Sequence, residues 1–228
     1  MRFAALILAF TATLAGTGAR GADTSDMEDA SAQEIASSAE RVEPLMADGK
    51  TKLPALVLRS VDGKPFDLNK SIAEKPAVLI FYRGNWCPYC AAHLAAVQKV
   101  SKDITEAGFQ IIAISPDKPE QLKKSVRKAG LTYTLLSDST LEAARAFGLA
   151  YRVSETDLEK LGKFGIDLSE NSGEKLDLLP VPALYLVAPD GKILFSYFNA
   201  DYTKRLPTED LLKALGTPSA LEAVSGLE

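Results

Sequence analysis

The sequence predicts an α/β fold in which a central mixed sheet is flanked by helices. Residues 77–82 and 109–115 are continuous apolar runs, which are typical of strands buried on both faces. A segment with helical spacing of apolar residues follows each run, so strands and helices alternate through the middle of the chain. Near the end, Asp190 and Gly191 separate two further apolar runs and predict a hairpin.

Turn and cap signals place the other elements. Asp62 and Gly63 mark a hairpin turn, Pro119 stands at a helix start, and Gly148 ends a helix. The strands are predicted at residues 53–59, 65–66, 77–82, 109–115, 133–136, 183–187 and 193–198. The helices are predicted at residues 90–104, from 119 onward, at 137–147 and at 208–215.

The chain of 228 residues has room for one domain of moderate size with extensions. Residues 1–22 are predicted to be a signal peptide, and residues 23–50 to be an extension with a short amphipathic helix after a capping box. The domain itself is expected at residues 51–217, with a polar insertion at 151–180. Residues 218–228 are expected to form a C-terminal tail.

The first residues predict export. Arg2 precedes an apolar stretch that is too short to span a bilayer comfortably, and small residues follow it. An uncleaved N-terminal anchor is the alternative. Cleavage would give a bacterial periplasmic protein, in a compartment where disulfides persist. Removal of residues 1–22 deletes two arginines and no acids, so the net charge changes from −4 to −6. This acidic chain gives no reason to expect a nucleic acid or an anionic membrane as a partner.

Cys87 and Cys90 are the only cysteines, and they form a Cys-x-x-Cys motif directly after a predicted strand. This motif at the start of a helical pattern is typical of a redox-active dithiol. A structural zinc site needs four Cys or His ligands, and the chain has two Cys and one His. A c-type haem needs His after the second Cys, where Ala91 stands. We therefore expect no metal or other cofactor. A purely structural disulfide remains open, although so short a loop would stabilise little.

The positions of the two sulfurs predict different roles. Cys87 begins a helix, where free N–H groups favour negative charge, so we expect it to be the more acidic, more exposed and attacking thiol. Cys90 lies one turn further in and is expected to resolve the intermediate. His93 lies six residues after Cys87 and is predicted to be a solvated surface residue. Trp86 either covers the disulfide or packs at the loop, and Arg83 either stabilises the thiolate or forms a surface ion pair.

The sequence WCPYC at residues 86–90 resembles the active site of thioredoxins and glutaredoxins. Val181, Pro182 and Ala183, just before a predicted strand, resemble the cis-proline segment that faces the dithiol in that fold. This resemblance implies that Pro182 and Trp86 face the substrate, with Pro180 as the alternative cis-proline.

The wider chain, residues 45–216, is similar to the peroxiredoxin family, which is also called the alkyl hydroperoxide reductase and thiol-specific antioxidant family. The motifs that carry the similarity are AISPD at 113–117, GLT at 130–132, LLSD at 135–138 and AFG at 146–148. The segment FYRGNWCPYC at 81–90 is similar to a branch that carries Cys-x-x-Cys. The family implies a thioredoxin-like sandwich.

Two departures from the family pattern concern the active loop. Peroxiredoxins place Thr or Ser three residues before the attacking Cys and Pro seven before it. Counted from Cys87, these positions hold Gly84 and Ile80, so the hydroxyl that helps to orient peroxide is missing. The family site also has an arginine near the thiolate, for which Arg83 and Arg205 are candidates.

The resemblance implies a thiol-dependent redox enzyme that reduces hydroperoxides through a dithiol–disulfide cycle of Cys87 and Cys90. A thiol electron donor, such as a thioredoxin-type protein, would regenerate the dithiol. The alternative activity is thiol–disulfide exchange with other proteins, because the active loop resembles that of thioredoxins. A non-catalytic periplasmic binding domain with a structural disulfide is the third interpretation.

Overall fold

The computed structural model describes residues 42–175 and 177–225. The strands in chain order are β1 (Val57–Ser60), β2 (Pro65–Asp67), β3 (Ala77–Phe81), β4 (Gln110–Ser115), β5 (Thr134–Ser137), β6 (Ala150–Arg152), β7 (Leu178–Pro180), β8 (Ala183–Val187) and β9 (Ile193–Phe198). Seven of them form one sheet in the order β2-β1-β5-β4-β3-β8-β9, while β6 and β7 form a separate pair. In the large sheet β3, β4 and β5 are parallel and the other pairings are antiparallel. The predicted mixed sheet is confirmed.

The strand that leads to the cysteine motif lies in the middle of this sheet. β3 pairs with β4 on one side and with β8 on the other, and Phe81 lies opposite both Ile114 and Ala183. Every residue of β3 and β8 is buried, as expected for strands covered on both faces. The motif therefore starts at the carboxyl end of a rigid central strand.

Nine helices are described in residues 42–175 and 177–225. They are α1 (Leu68–Glu74), α2 (Pro88–Lys99), α3 (Ser101–Glu106), α4 (Pro119–Ala129), α5 (Glu142–Ala146), α6 (Glu155–Lys163), α7 (Leu168–Ser172), α8 (Thr208–Leu215) and α9 (Pro218–Ser225). The single helix predicted at 90–104 is split into α2 and α3 at Val100. The helix predicted from residue 137 begins later, as α5, because residues 138–141 form a turn. The Asp138 carboxylate accepts hydrogen bonds from the N–H groups of Ala143 and Ala144 across that turn.

The insertion at 151–180 is folded against the body of the domain. It contains α6, α7 and β7, and β7 pairs with β6 so that Tyr151 lies opposite Leu179. Leu161, Leu168 and Leu179 of the insertion join the core on one face of the sheet. The chain therefore places a small subdomain beside the active loop.

The structure describes only part of the predicted segments at the two ends of the chain. The signal peptide and most of the 23–50 extension lie outside the described residues. Residues 42–50 form no helix, and Val42 and Leu45 pack half-buried against the core. The expected C-terminal tail begins with helix α9, whose Ala220 is fully buried. Within the described ranges, no helix has the length and apolar character that a membrane span requires.

Candidate active site

The loop from β3 to α2 carries both cysteines. Cys87 is the N-cap of α2, and Pro88 and Cys90 both lie in its first turn. Each cysteine is only 1% exposed. The predicted helix start is confirmed, but the expectation that Cys87 would be the exposed sulfur is wrong. Both cysteines belong to a buried apolar cluster, and Trp86 packs half-buried against it.

Arg205 contacts the second sulfur. It lies between β9 and α8, and its Nη2 donates to the Sγ of Cys90 at 3.2 Å. Its Nη1 donates to the backbone carbonyls of Tyr202 and Lys204, which fixes the guanidinium in the loop. Of the two arginines that the sequence offered, Arg205 is the one in hydrogen-bonding contact with a sulfur.

The pKa values of the two thiols shift in opposite directions. The Cys87 thiol donates to the Cys90 sulfur, and this bond, burial and the nearby Cys90 charge raise the pKa of Cys87 far above its usual value. Burial by itself would raise the pKa of Cys90, but the Cys87 thiol, Arg205 and Arg83 outweigh it and lower that pKa to about 6. The positive charges of Arg205 and Arg83 therefore favour the thiolate at Cys90, with the remaining proton of the pair on the Cys87 side.

The sequence predicted Cys87 as the attacking thiol, whereas these contacts favour the negative charge on Cys90. The helix N-terminus favours charge at both positions, because Cys87 caps the helix and Cys90 lies in its first turn. The deciding contact comes from Arg205, which is 115 positions away along the chain. Sequence spacing within the motif carries no information about that contact.

Arg83 belongs to the loop between β3 and α2, and its side chain is buried. It is 2% exposed, and its guanidinium carbon lies 5.0 Å from the ring centre of Trp86 and 4.1 Å from that of Tyr202. This stacking is a cation–π arrangement on two faces. Arg83 is therefore not the surface ion pair that the sequence allowed, and its charge helps to stabilise the Cys90 thiolate. Trp86 holds this cation in place and is itself half-buried.

Gly84 is required by its surroundings. Its φ of +148° is rarely adopted by residues with a side chain, and a Cβ there would lie 2.4 Å from Nε1 of Trp86 and 3.1 Å from Oδ1 of Asp117. A hydroxyl side chain cannot be added at this position without displacing Trp86. Counted from Cys90 instead of Cys87, the family's positions at minus three and minus seven are Cys87 and Arg83. The Cys87 thiol then stands where the family pattern has a hydroxyl.

Two further expectations require correction. Pro182 is buried immediately before β8, next to the residue paired with Phe81, but no peptide bond among the described residues is cis. The structure thus places Pro182 beside the loop without the cis geometry that the resemblance implied. His93 is 8% exposed rather than solvated, and burial together with the Arg205 charge lowers its pKa to about 4. His93 lies three residues after Cys90, so it shares the face of α2 that carries this sulfur.

Sequence reasoning missed Asp117 and Tyr202. Asp117 follows β4 in the AISPD motif and is 1% exposed, so a buried carboxylate directly after a buried strand was the available signal. Tyr202 gave no such signal, because its contact with Arg83 depends on the loop between β9 and α8. Within residues 42–175 and 177–225 no cluster of three or more metal-ligating side chains occurs.

Comparison with known sequences identifies the family. The AhpC/TSA family model matches residues 50–196. The Mycobacterium tuberculosis protein Rv2521, which is named as a peroxiredoxin, is 30% identical over 155 residues, covering 67% of this chain and 85% of the relative. Chloroplastic peroxiredoxin Q of Populus jackii is 31% identical over 96 residues, which cover 42% of this chain and 45% of that protein.

Solved structures agree on the fold. Peroxidoxin BcpB from Mycobacterium tuberculosis matches with a TM-score of 0.55 and 19% identity, over 82% of this chain and 99% of that one. AhpC of Enterococcus faecalis gives a TM-score of 0.58 at 18% identity, over 79% and 96% of the two chains. The thioredoxin-like architecture is thus confirmed, and the comparisons favour a peroxidase over disulfide exchange or a non-catalytic binding domain. By its family match, the chain belongs to the AhpC/TSA family and is a thiol-dependent oxidoreductase of the peroxiredoxin type.

Proposed function

We propose that this protein reduces small hydroperoxides, with Cys90 as the attacking thiolate and Cys87 as the resolving thiol. The observation that carries the proposal is the contact of Arg205 with the Cys90 sulfur inside a site where each cysteine is 1% exposed. A preformed thiolate needs no separate base, because its proton is already absent.

Burial of the sulfurs favours a small oxidant. A protein disulfide would have to bring its own sulfur into bonding contact with Cys90, and a cysteine that is 1% exposed offers no surface for a second protein. A hydroperoxide reacts through two oxygen atoms and needs only a narrow approach. Exchange with protein disulfides would first require the active loop to open.

The reaction follows from the two protonation states. The Cys90 thiolate attacks one peroxide oxygen, the O–O bond breaks, Cys90 becomes a sulfenic acid, and the leaving alkoxide or hydroxide takes up a proton. The Cys87 thiol then attacks the sulfenic sulfur, and its proton leaves with the hydroxide as water. This step forms the Cys87–Cys90 disulfide. Two equivalents of an external thiol reduce the disulfide and restore the starting state.

Electron donor and compartment are part of the proposal. A thioredoxin-type dithiol protein is a suitable donor, because the disulfide that forms is a Cys-x-x-Cys disulfide of the kind such proteins exchange with. Residues 1–22 support export to the periplasm. Mass spectrometry of the protein from an osmotic-shock fraction should show a chain that starts near residue 20–23, and full-length protein in the membrane fraction would contradict export.

Rapid mixing of the anaerobically reduced protein with hydrogen peroxide, and separately with a protein disulfide, tests the activity. We expect fast loss of both thiols with peroxide and slow loss with the disulfide. Cys87→Ser should consume one equivalent of peroxide and retain a sulfenic acid on Cys90 that a dimedone probe labels, whereas Cys90→Ser should not react. A reactive Cys90→Ser with an inert Cys87→Ser would reverse the assignment. Faster reaction with the protein disulfide would show that protein disulfides, and not hydroperoxides, are the substrate.

A further inference from the structure

The segment between β9 and α8 carries Arg205 to the active loop. We call residues 199–205 the arginine loop. Oδ1 of Asp201 accepts the Thr203 N–H at 2.9 Å and the Thr203 hydroxyl at 2.6 Å. Oδ1 of Asn199 accepts the Asp201 N–H at 2.9 Å. These side-chain to backbone bonds order the turn locally, as Asn and Asp do in turns generally, but they do not attach it to the active loop.

The ring of Tyr202 attaches the arginine loop to the active loop. The guanidinium carbon of Arg83 lies 4.1 Å from the centre of this ring. Tyr89, which stands between the two cysteines, packs edge-on against the same ring with 5.8 Å between the ring centres. Cation–π and edge-to-face aromatic contacts each favour a defined ring position. Tyr202 is thus fixed by one residue of the active loop and by one residue of α2.

The backbone of Tyr202 in turn holds Arg205. Its carbonyl accepts a hydrogen bond from Nη1 of Arg205, and the carbonyl of Lys204 accepts a second one. Nη2 of the same guanidinium donates to the Cys90 sulfur at 3.2 Å. Because a guanidinium is planar, fixing Nη1 also sets the direction in which Nη2 points. The position of the Tyr202 carbonyl therefore determines where the charge of Arg205 lies relative to Cys90.

Arg205 has few other constraints. Its Nε has no hydrogen-bond partner among the residues that the structure describes. In those same ranges no carboxylate forms an ion pair with Arg205, although a carboxylate is the partner that binds two guanidinium nitrogens at once. The placement of its charge thus depends on two carbonyls of the arginine loop, and a shift of this loop would move the charge away from the sulfur.

We propose that Tyr202 is a positioning residue for the peroxide reaction, because its ring fixes the arginine loop and so keeps Arg205 on the Cys90 sulfur. This inference rests on the proposed function, in which Arg205 favours the attacking thiolate. Tyr202 acts through Arg205 and not on the peroxide. Loss of the ring should release the arginine loop, whereas loss of the phenolic hydroxyl alone should keep both ring contacts.

Tyr202→Leu and Tyr202→Phe test the role of the ring. The readout is the Cys90 midpoint, the pH at which Cys90 of the anaerobically reduced protein alkylates at half its maximal rate. Leucine has no π face for the Arg83 cation, so Arg205 should lose its contact with the sulfur in part of the molecules. The midpoint should rise by about one pH unit, which makes alkylation about tenfold slower at about pH 5 and unchanged at about pH 9. Tyr202→Phe should retain the wild-type midpoint, and a wild-type midpoint in Tyr202→Leu would overturn the inference.

Tyr197→Leu is the matched control. Tyr197 is half-buried on β9 and packs against the apolar cluster that contains both cysteines. No arginine of residues 42–175 and 177–225 stacks on its ring. The same side-chain change is thus made in the same cluster without touching the cation, and Tyr197→Leu should keep the wild-type midpoint. A shift equal to that of Tyr202→Leu would show a general packing effect and refute the positioning role.

A double-mutant cycle tests whether Tyr202 acts through Arg205. Arg205→Met already lacks the charge, so adding Tyr202→Leu should shift the Cys90 midpoint by less than half of its effect in the wild-type background. An undiminished shift would mean that the ring acts by another route, such as the charge of Arg83, and would overturn the inference. A wild-type midpoint in Arg205→Met would instead refute the thiolate assignment of the proposed function. A shift in Arg205→Met but none in Tyr202→Leu refutes the positioning role alone.

A replacement that keeps the shape of the ring decides the question if Tyr202→Leu does not fold. Trifluorophenylalanine incorporated in place of Tyr202 has a ring of nearly the same size, but its fluorine atoms withdraw charge from the ring face and weaken its attraction for Arg83. The Cys90 midpoint should rise relative to that of Tyr202→Phe. A midpoint equal to that of Tyr202→Phe would show that the contact with Arg83 does not hold the arginine loop, and would overturn the inference.

Discussion

Replacement of Arg205 by methionine should raise the pKa of Cys90. Methionine keeps much of the aliphatic bulk of arginine and removes the charge that lies 3.2 Å from the Cys90 sulfur. Coulomb's law at an effective dielectric constant of about 20 gives an attraction of about 5 kcal/mol at this separation, which is an upper bound. The net attraction between Arg205 and the Cys90 thiolate is smaller, because Arg205 is partly exposed and Arg83 remains nearby.

The net value of a hydrogen bond to a charged group, about 1.5–3 kcal/mol, is the better guide. At about 1.36 kcal/mol per pKa unit, this corresponds to a rise of about 1–2 units. The pKa of Cys90 should then move from about 6 to roughly 7–8. At pH 6 the thiolate fraction should fall from about one half to between about one tenth and one hundredth. At high pH the two proteins should converge, because Cys90 is ionised in both.

The assay is the alkylation rate of each cysteine against pH, read peptide by peptide by mass spectrometry in anaerobically reduced protein. Arg205→Lys keeps the charge and should shift the midpoint less than Arg205→Met. Arg152→Met is the control, since Arg152 pairs with Asp177 on the exposed surface of the insertion. A shift in Arg205→Met of less than about half a unit would refute the role of Arg205. Earlier alkylation of Cys87 in the wild type would refute the assignment of the thiolate itself.

Two other predictions concern stability. Gly84→Ala should lower the free energy of unfolding by about 1–3 kcal/mol, because it forces a residue with a Cβ into an unfavourable φ against Trp86. Gly162→Ala in α6 is the control. An added Cβ there would meet no other atom within 4 Å, so this variant should be neutral or stabilising. Urea unfolding of both variants checks this, and a Gly84→Ala as stable as the wild type would contradict it. The second prediction concerns Asp117, whose pKa is higher in the folded state than in the unfolded chain, so the folded protein binds the extra proton and stability is lost as pH rises towards 7. Between pH 5 and 8 the reduced wild type should therefore lose about 3 kcal/mol relative to Asp117→Asn, and a constant difference across this range would refute the raised pKa.

The prediction of the fold from sequence succeeded where local patterns and burial agree. The apolar runs of β3 and β4 and the turn at Asp190 and Gly191 reflect chain-local chemistry, and the mixed sheet follows from their order. The break at Val100 was missed, since apolar spacing continues through it to Ile104. The insertion was predicted only as a polar segment, because its short helices become stable through packing of residues such as Leu161 and Leu168 on the core.

The sequence by itself determined the chemistry of this protein. Two cysteines in one Cys-x-x-Cys motif, directly after a buried strand and at a helix start, are local features, and they predicted a dithiol enzyme and its position in the fold. Only the tertiary structure decided which sulfur contacts the arginine that favours a thiolate. Arg205, Arg83 and Tyr202 reach the motif from distant positions or from beneath the loop, and electrostatic interactions depend on distances in space rather than along the chain. The same holds for Asp117, whose burial beside the loop gives a common aspartate an uncommon protonation state.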